Sequence, residues 1–194
     1  IAISLSSEVD PRPREFERWL TAAMDAYVKI GVTDYLRRFQ DGLRQRGYVP
    51  ALVMRSQGGV ATLDACLRKP LTLAMSGPAA AVQGVAGMLD ETSLAGDALS
   101  LDIGGTTSDL SLIQGGRTRY TLELGVGDMS LRMRSVDVLS VAVGGGSYVS
   151  VHAGGGIRVG PESAGARPGP VAYGRGGVRV TVTDCLLALG LLPE

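Results

Sequence analysis

Apolar and polar positions along this chain change period several times, and each change marks a different element. From Glu15 to Lys29 and on to Ile30, the residues Phe16, Trp19, Leu20, Ala23, Tyr27 and Ile30 recur at three- and four-residue spacing, which predicts an amphipathic helix with that stripe buried. Asp10 to Pro13, with two prolines, supplies its entrance. Gly31 is expected to interrupt it, Thr33 or Asp34 to cap a second helix with Leu36, Phe39 and Leu43 as its buried stripe, and Gly47 to end that helix. Ile1 to Val9, Ala51 to Met54 and Leu71 to Met75 read as strands. A short helix falls between the last two, from about Thr62 to Leu67, and a helix of small residues runs to Leu89 behind Ser76, Gly77 and Pro78.

In the second half the period shortens to two. Leu99 to Asp102 and Asp109 to Ile113 read as strands on either side of a tight loop, and Gly115-Gly116 is a turn into a third strand, Arg117 to Leu124. Val136 to Val143 predicts a strand running into Gly144, Gly145, Gly146 and Ser147. A hairpin follows across Gly154 to Gly156, then a long Gly/Pro-rich loop from Arg158 to Pro170. A last helix opens at Thr181 to Asp184.

The loop between the first two of these strands carries chemistry. Gly104 and Gly105 let a backbone approach a polyphosphate with N–H groups exposed, and Thr106 and Thr107 add hydroxyl donors. Asp102, at the end of the incoming strand, suits a hydrated Mg²⁺ on such phosphates, and Asp109 on the outgoing strand either shares that metal or fixes the loop. An isolated Gly-Gly pair is an ordinary turn; the flanking acids and the two threonines favour the phosphate reading. Asp137 and the loop Gly144, Gly145, Gly146 and Ser147 are candidates for the substrate side, with Glu162, Ser163 and Tyr173 behind them.

Composition narrows the classes. Nineteen basic residues balance nineteen acidic ones, so the footprint that nucleic-acid binding requires is missing. The single histidine, His152, excludes multi-histidine metal sites. Cys66 and Cys185 sit far apart in apolar helical surroundings, which suggests buried thiols and a reducing compartment. No stretch reaches the roughly 18 apolar residues of a membrane span. Glycine, 28 of 194 residues, is about twice as frequent as the usual share of roughly 7% and clusters between apolar runs, as punctuation of a folded sheet.

The order helix, strand, helix, strand, small-residue helix and then strand–loop–strand resembles the α/β actin-like (ribonuclease H-like) ATPase fold across the end of one lobe and the start of the next. Asp102 to Asp109 is similar to its second phosphate loop, and Gly77 to Gly84 to its connecting helix. Residues 1–90 would then belong to the first lobe with that helix, and residues 91–194 to the second. Met54 to Gly59, Ser76 to Pro78 and above all Val159-Gly160-Pro161-Glu162-Ser163-Ala164-Gly165 resemble the hydantoinase A and 5-oxoprolinase family, which also contains an acetone carboxylase subunit.

That resemblance implies ATP- and Mg²⁺-dependent activation of a small cyclic amide or ketone by phosphorylation of its carbonyl oxygen, carried out with a hydantoinase B-like partner subunit and away from membranes. The expected activity is cyclic-amide hydrolysis. A ketone carboxylase subunit, a kinase of the same superfamily and a non-catalytic ATPase-like scaffold stay open. The chain departs from the family pattern at Asp137-Val138-Leu139, where Asp-x-His is usual, at Gln57 in place of asparagine, and at Arg167 in place of aspartate. Nothing in it matches the family's other Asp-x-Gly-Gly-Thr loop, so the chain reads as an internal fragment with one jaw of the nucleotide cleft.

Overall fold

A computed structural model describes residues 2–48, 50–92 and 96–193. In chain order the elements are α1 (Ser6–Val9), α2 (Glu15–Gln45), β1 (Leu52–Met54), β2 (Val60–Thr62), α3 (Leu63–Arg68), a 3-10 turn (Pro70–Leu73) and α4 (Ser76–Glu91). Strands follow: β3 (Ala98–Ile103), β4 (Ser108–Gln114), β5 (Arg117–Thr118), β6 (Tyr120–Thr121), β7 (Leu124–Val126), β8 (Met129–Leu131), β9 (Ser135–Val136), β10 (Leu139–Val141), β11 (Ser147–Val151) and β12 (Ile157–Ser163). A second 3-10 turn (Val171–Tyr173) and α5 (Val182–Ala188) complete the chain. Two compact units are interleaved along it, residues 1–98 with 112–137, and residues 99–111 with 138–194. Among the described residues no helix is long and apolar enough to cross a membrane.

The first unit is organised on α2, a single helix of 31 residues, about 46 Å long. Gly31 does not break it: an interior glycine costs only about 1 kcal/mol, and Thr33, expected as a cap, instead turns its hydroxyl to the Lys29 carbonyl at 2.6 Å inside the helix. The expected stripe is also displaced. Thr21, Ala22, Asp25 and Leu36 are the buried positions, whereas Phe16, Trp19 and Tyr27 are 74%, 60% and 73% exposed. The reason is polar anchoring. Thr21 Oγ1 accepts the Arg132 N–H at 3.0 Å, and Asp25 accepts the Leu71 N–H at 3.0 Å and the Ser4 hydroxyl at 2.6 Å, so the face that carries these groups must point inward. Beside them Leu20, Met24 and Val28 pack on a core of Leu71, Leu124, Leu131 and Met133.

Two expected strands of this unit are helical turns. Residues 6–9 of the opening run close on themselves, with Glu8 and Val9 donating to the Leu5 carbonyl at 3.0 Å. Pro70–Leu73 forms a 3-10 turn, with Pro70 in its first turn and the Thr72 hydroxyl on the Lys69 carbonyl at 2.7 Å. The short helix is where it was expected, with Thr62 as its N-cap. β1 and β2 are antiparallel, so Ser56 to Gly59 is a hairpin turn and not the ligand-binding edge of a parallel sheet. Ser56 is buried and donates its N–H and hydroxyl to the Thr72 carbonyl at 2.8 and 2.7 Å. The run Arg117 to Leu124 is broken into β5, β6 and the start of β7, each paired antiparallel with a different neighbour.

In the second unit β4 lies between β10 and β3. β11 and β12 form the hairpin anticipated across Gly154 to Gly156, and its second strand carries the Gly160-to-Ser163 run that reads as loop from composition alone. Val149 N–H donates to the Val180 carbonyl at 2.9 Å, which ties β11 to the residues that open α5. The last helix opens where the sequence put it, and Thr181 caps it in a reciprocal capping box with Asp184. Burial alone would raise the Asp184 carboxyl. Hydrogen bonds from the Ala172 N–H, the Thr181 N–H and hydroxyl and the Val171 N–H outweigh it and hold the group below the usual carboxylate range.

Replacing Asp25 with Ala is expected to destabilise the protein by about 3 kcal/mol, because the buried Leu71 N–H loses its acceptor and Lys29 its counter-charge, with Asn losing less; urea unfolding measures both. Asp184 is held as the anion, so its contribution is complete above the ordinary carboxylate pKa of about 3.9 and is lost as pH falls through the depressed folded value. Asp184→Asn should therefore lower the urea midpoint at pH 7 and converge with the parent protein only once pH has fallen below the depressed folded value.

Candidate functional site

The loop between β3 and β4 is exposed from Asp102 to Thr107. Its turn is closed by the Gly104 N–H on the Thr107 carbonyl at 2.9 Å. Among the described residues the N–H groups of Gly105, Thr106 and Thr107 have no protein partner. Three consecutive unpaired donors in an exposed turn, two of them on threonines whose hydroxyls add further donors, make the kind of loop that can take an anion. Asp109, half-buried on β4, accepts the Ser140 hydroxyl from β10 in a short hydrogen bond. Asp102 is exposed at the mouth of the loop, and no cluster of three metal-ligating side chains exists among the described residues. This donor set fits a Mg²⁺ held by one carboxylate, water and ligand phosphates better than an all-protein cage.

The second glycine loop is docked on the first. Gly145 N–H donates to the Gly104 carbonyl at 2.9 Å, and Gly146 N–H to the Gly105 carbonyl at 2.6 Å. These bonds take the carbonyl side of residues 104–105 and leave the N–H side outward. The approach is so close that a Cβ on Gly144 would sit 2.6 Å from the Gly104 oxygen, 2.8 Å from the Thr106 nitrogen and 2.9 Å from the Gly105 carbonyl carbon. Only glycine permits it. Ser147 is fully buried and accepts the Gly144 N–H at 2.9 Å, while the Ala164 N–H holds the Gly146 carbonyl at 2.8 Å. The structure thus brings Gly104, Gly105, Thr106 and Thr107 together with Gly144, Gly145, Gly146 and Ser147, and Asp109 with Ser140.

Asp137 belongs to the first unit, where its N–H donates to the Arg119 carbonyl at 3.0 Å and its carboxylate lies 3.9 Å from Arg119 Nε. Glu162 is exposed and paired with Arg179 at 2.9 Å; Tyr173 is exposed against Arg175. His152 shapes the β11–β12 turn through its backbone, donating to Gly156 and accepting from Gly155, both at 2.8 Å. Cys66 is buried and Cys185 half-buried, both free; burial pushes the Cys66 thiol up. Ser140 and Thr183 were not picked out by the sequence. Neither stands in a glycine motif, and only pairing across the fold brings them to the loops.

The hydantoinase/oxoprolinase family profile matches residues 18–194. The chain belongs to this family. It is 35% identical over 189 residues to the caprolactamase subunit alpha of Pseudomonas jessenii, covering 96% of this chain and 27% of that one. The solved structure of the ATP-dependent caprolactamase from that organism matches with a TM-score of 0.76 at 34% identity, over 98% of this chain and 28% of that one. The 5-oxoprolinase 1 of Arabidopsis thaliana is 36% identical over 194 residues, 98% of this chain and 15% of that one. The nucleotide-free structure of acetone carboxylase, from work on ATP-dependent acetone carboxylation, matches with a TM-score of 0.79 at 27% identity, over 97% of this chain and 26% of that one. The α/β fold is that of the actin-like ATPases. The chain spans less than a third of the length of these relatives.

Gly144→Ala is expected to drive the two loops apart. Hydrogen exchange at the amides of Gly145 and Gly146 should accelerate at least tenfold, roughly the loss of one net hydrogen bond, while the capped first turn of α5 keeps its protection.

Proposed function

We propose that this chain supplies the phosphate-binding half of an ATP-dependent cyclic-amide hydrolase longer than itself. The observation that carries the reading is the exposed loop at residues 104–107, in which the N–H groups of Gly105, Thr106 and Thr107 have no protein partner among the described residues while the Gly104 and Gly105 carbonyls are held by the second glycine loop. Family membership and relatives described as ATP-dependent support the use of a nucleotide. Two relatives named for lactam substrates support the substrate class.

ATP with Mg²⁺ would supply a transferable phosphoryl group that turns an inert carbonyl oxygen into a leaving group. Gly105, Thr106 and Thr107 would hold its β- and γ-phosphates through their N–H groups, with the threonine hydroxyls as further donors. Asp102 would orient the metal through water. Asp109, fixed by Ser140, would keep β4 in place under the loop or share the metal. Gly144 to Ser147 are assigned to bracing this loop, since the Gly144, Gly145 and Gly146 N–H groups are all engaged within the protein. Asp137 remains a candidate on the substrate side. A relative named as a subunit supports action with a hydantoinase B-like partner, and the cytoplasm is the setting we assign.

In the complete protein with its partner, ADP release should depend on a cyclic amide such as 5-oxoproline, hydantoin or caprolactam. Asp102→Asn should lower that turnover on the order of a hundredfold. Unaltered turnover in Asp102→Asn would overturn the assignment of that residue. Turnover with acetone and bicarbonate but with no lactam would replace hydrolysis by carboxylation.

A further inference from the structure

Gly145 is gripped from both sides. Its N–H goes to the Gly104 carbonyl at 2.9 Å, and its own carbonyl accepts two bonds from one residue: the Thr183 N–H at 2.8 Å and the Thr183 hydroxyl at 2.9 Å. Both lone pairs of that oxygen are thereby used. Thr183 is itself immobilised. It lies in the first turn of α5, between the buried cap Thr181 and Asp184, whose carboxylate ties Thr181 and the 171–172 backbone together. The fit leaves no slack, because a Cβ on Gly145 would stand 2.8 Å from Thr183 Oγ1.

We propose that Thr183 is a positioning residue for the phosphate loop, acting through Gly145 on the Gly104 carbonyl. It touches no phosphate. It sets the height of the brace and so the direction in which the N–H groups of residues 105–107 point. The proposal rests on the reading of Gly104 to Thr107 as the phosphate cradle, and it adds a residue that belongs to no glycine motif. The capping box explains why the first turn of α5 is built rigidly, but it does not require the Thr183 hydroxyl to leave its own helix for a loop 38 residues away.

The test uses the complete protein and its steady-state ATP kinetics. Thr183→Val removes the hydroxyl at nearly constant volume and should lower kcat/KM for ATP about tenfold, the worth of one hydrogen bond between well-held groups. Thr183→Ser keeps the hydroxyl and should stay within about twofold of the parent. A merely structural role would lower the melting temperature of Thr183→Val and leave kcat/KM for ATP unchanged; that result overturns the proposal. Thr106→Val is measured alongside. If it impairs ATP use while Thr183→Val does not, the positioning role falls and the cradle stands. If neither changes ATP kinetics, both fall.

Discussion

Two backbone hydrogen bonds between glycine loops, Gly145 to Gly104 and Gly146 to Gly105, set everything that the candidate site can do. They are made without side chains on the approaching strands, at separations where a single methyl group would collide with peptide atoms. A peptide unit bonded through its carbonyl has its orientation fixed, and the N–H groups that follow are presented to solvent in a constant direction. Donors arranged before a ligand arrives need no reorganisation when charge develops nearby, which is the condition for electrostatic stabilisation of phosphoryl transfer.

The first unit follows a related rule with different chemistry. Its long helix is oriented by buried polar acceptors, Thr21 and Asp25, whose partners are backbone N–H groups from distant segments. Nearby, Asp10 lies in almost complete burial, which alone would raise its carboxyl. The hydrogen bonds from Arg12 and the charges of Arg12 and Arg132 reverse that and hold it below the usual carboxylate range. Arg12 also reaches the Arg132 carbonyl at 2.7 Å, so the entrance of α2 and the end of β8 are joined by charge and by hydrogen bonding. Removing Asp25 would strand the buried Leu71 N–H, and removing Asp10 would leave Arg12 and Arg132 without their shared counter-charge.

What the sequence made legible were the local signals. The strand–loop–strand around Gly104, the turn at Gly115-Gly116, the helix starts near Thr62 and Thr181 and the β11–β12 hairpin all stand where the local pattern placed them. What it concealed was long-range. A period of 3.6 identifies a helix but not which of two faces is anchored, so Phe16 and Trp19 were favoured over Thr21 and Asp25. Alternation in the opening run and in residues 71–75 found no neighbouring strand to complete a ladder among the described residues, and the backbone closed in turns at 6–9 and 70–73. Thr183 and Ser140 stand in runs the sequence marks as a helix start and a strand, but neither is a site candidate there, because their importance lies in what the fold sets opposite them. The glycines of 144–146 were legible as a loop but not as a brace, since composition cannot say which backbone a glycine lets approach.

The outward face of α2 has a practical consequence for how this protein reports on itself. Its one tryptophan, Trp19, sits on that face, well exposed to water and turned away from the residues packed around Leu71. An indole already hydrated in the native state changes its surroundings little when the interior opens. Intrinsic fluorescence is thus a dim witness to loss of the core, and a brighter one to any surface that comes to cover the helix.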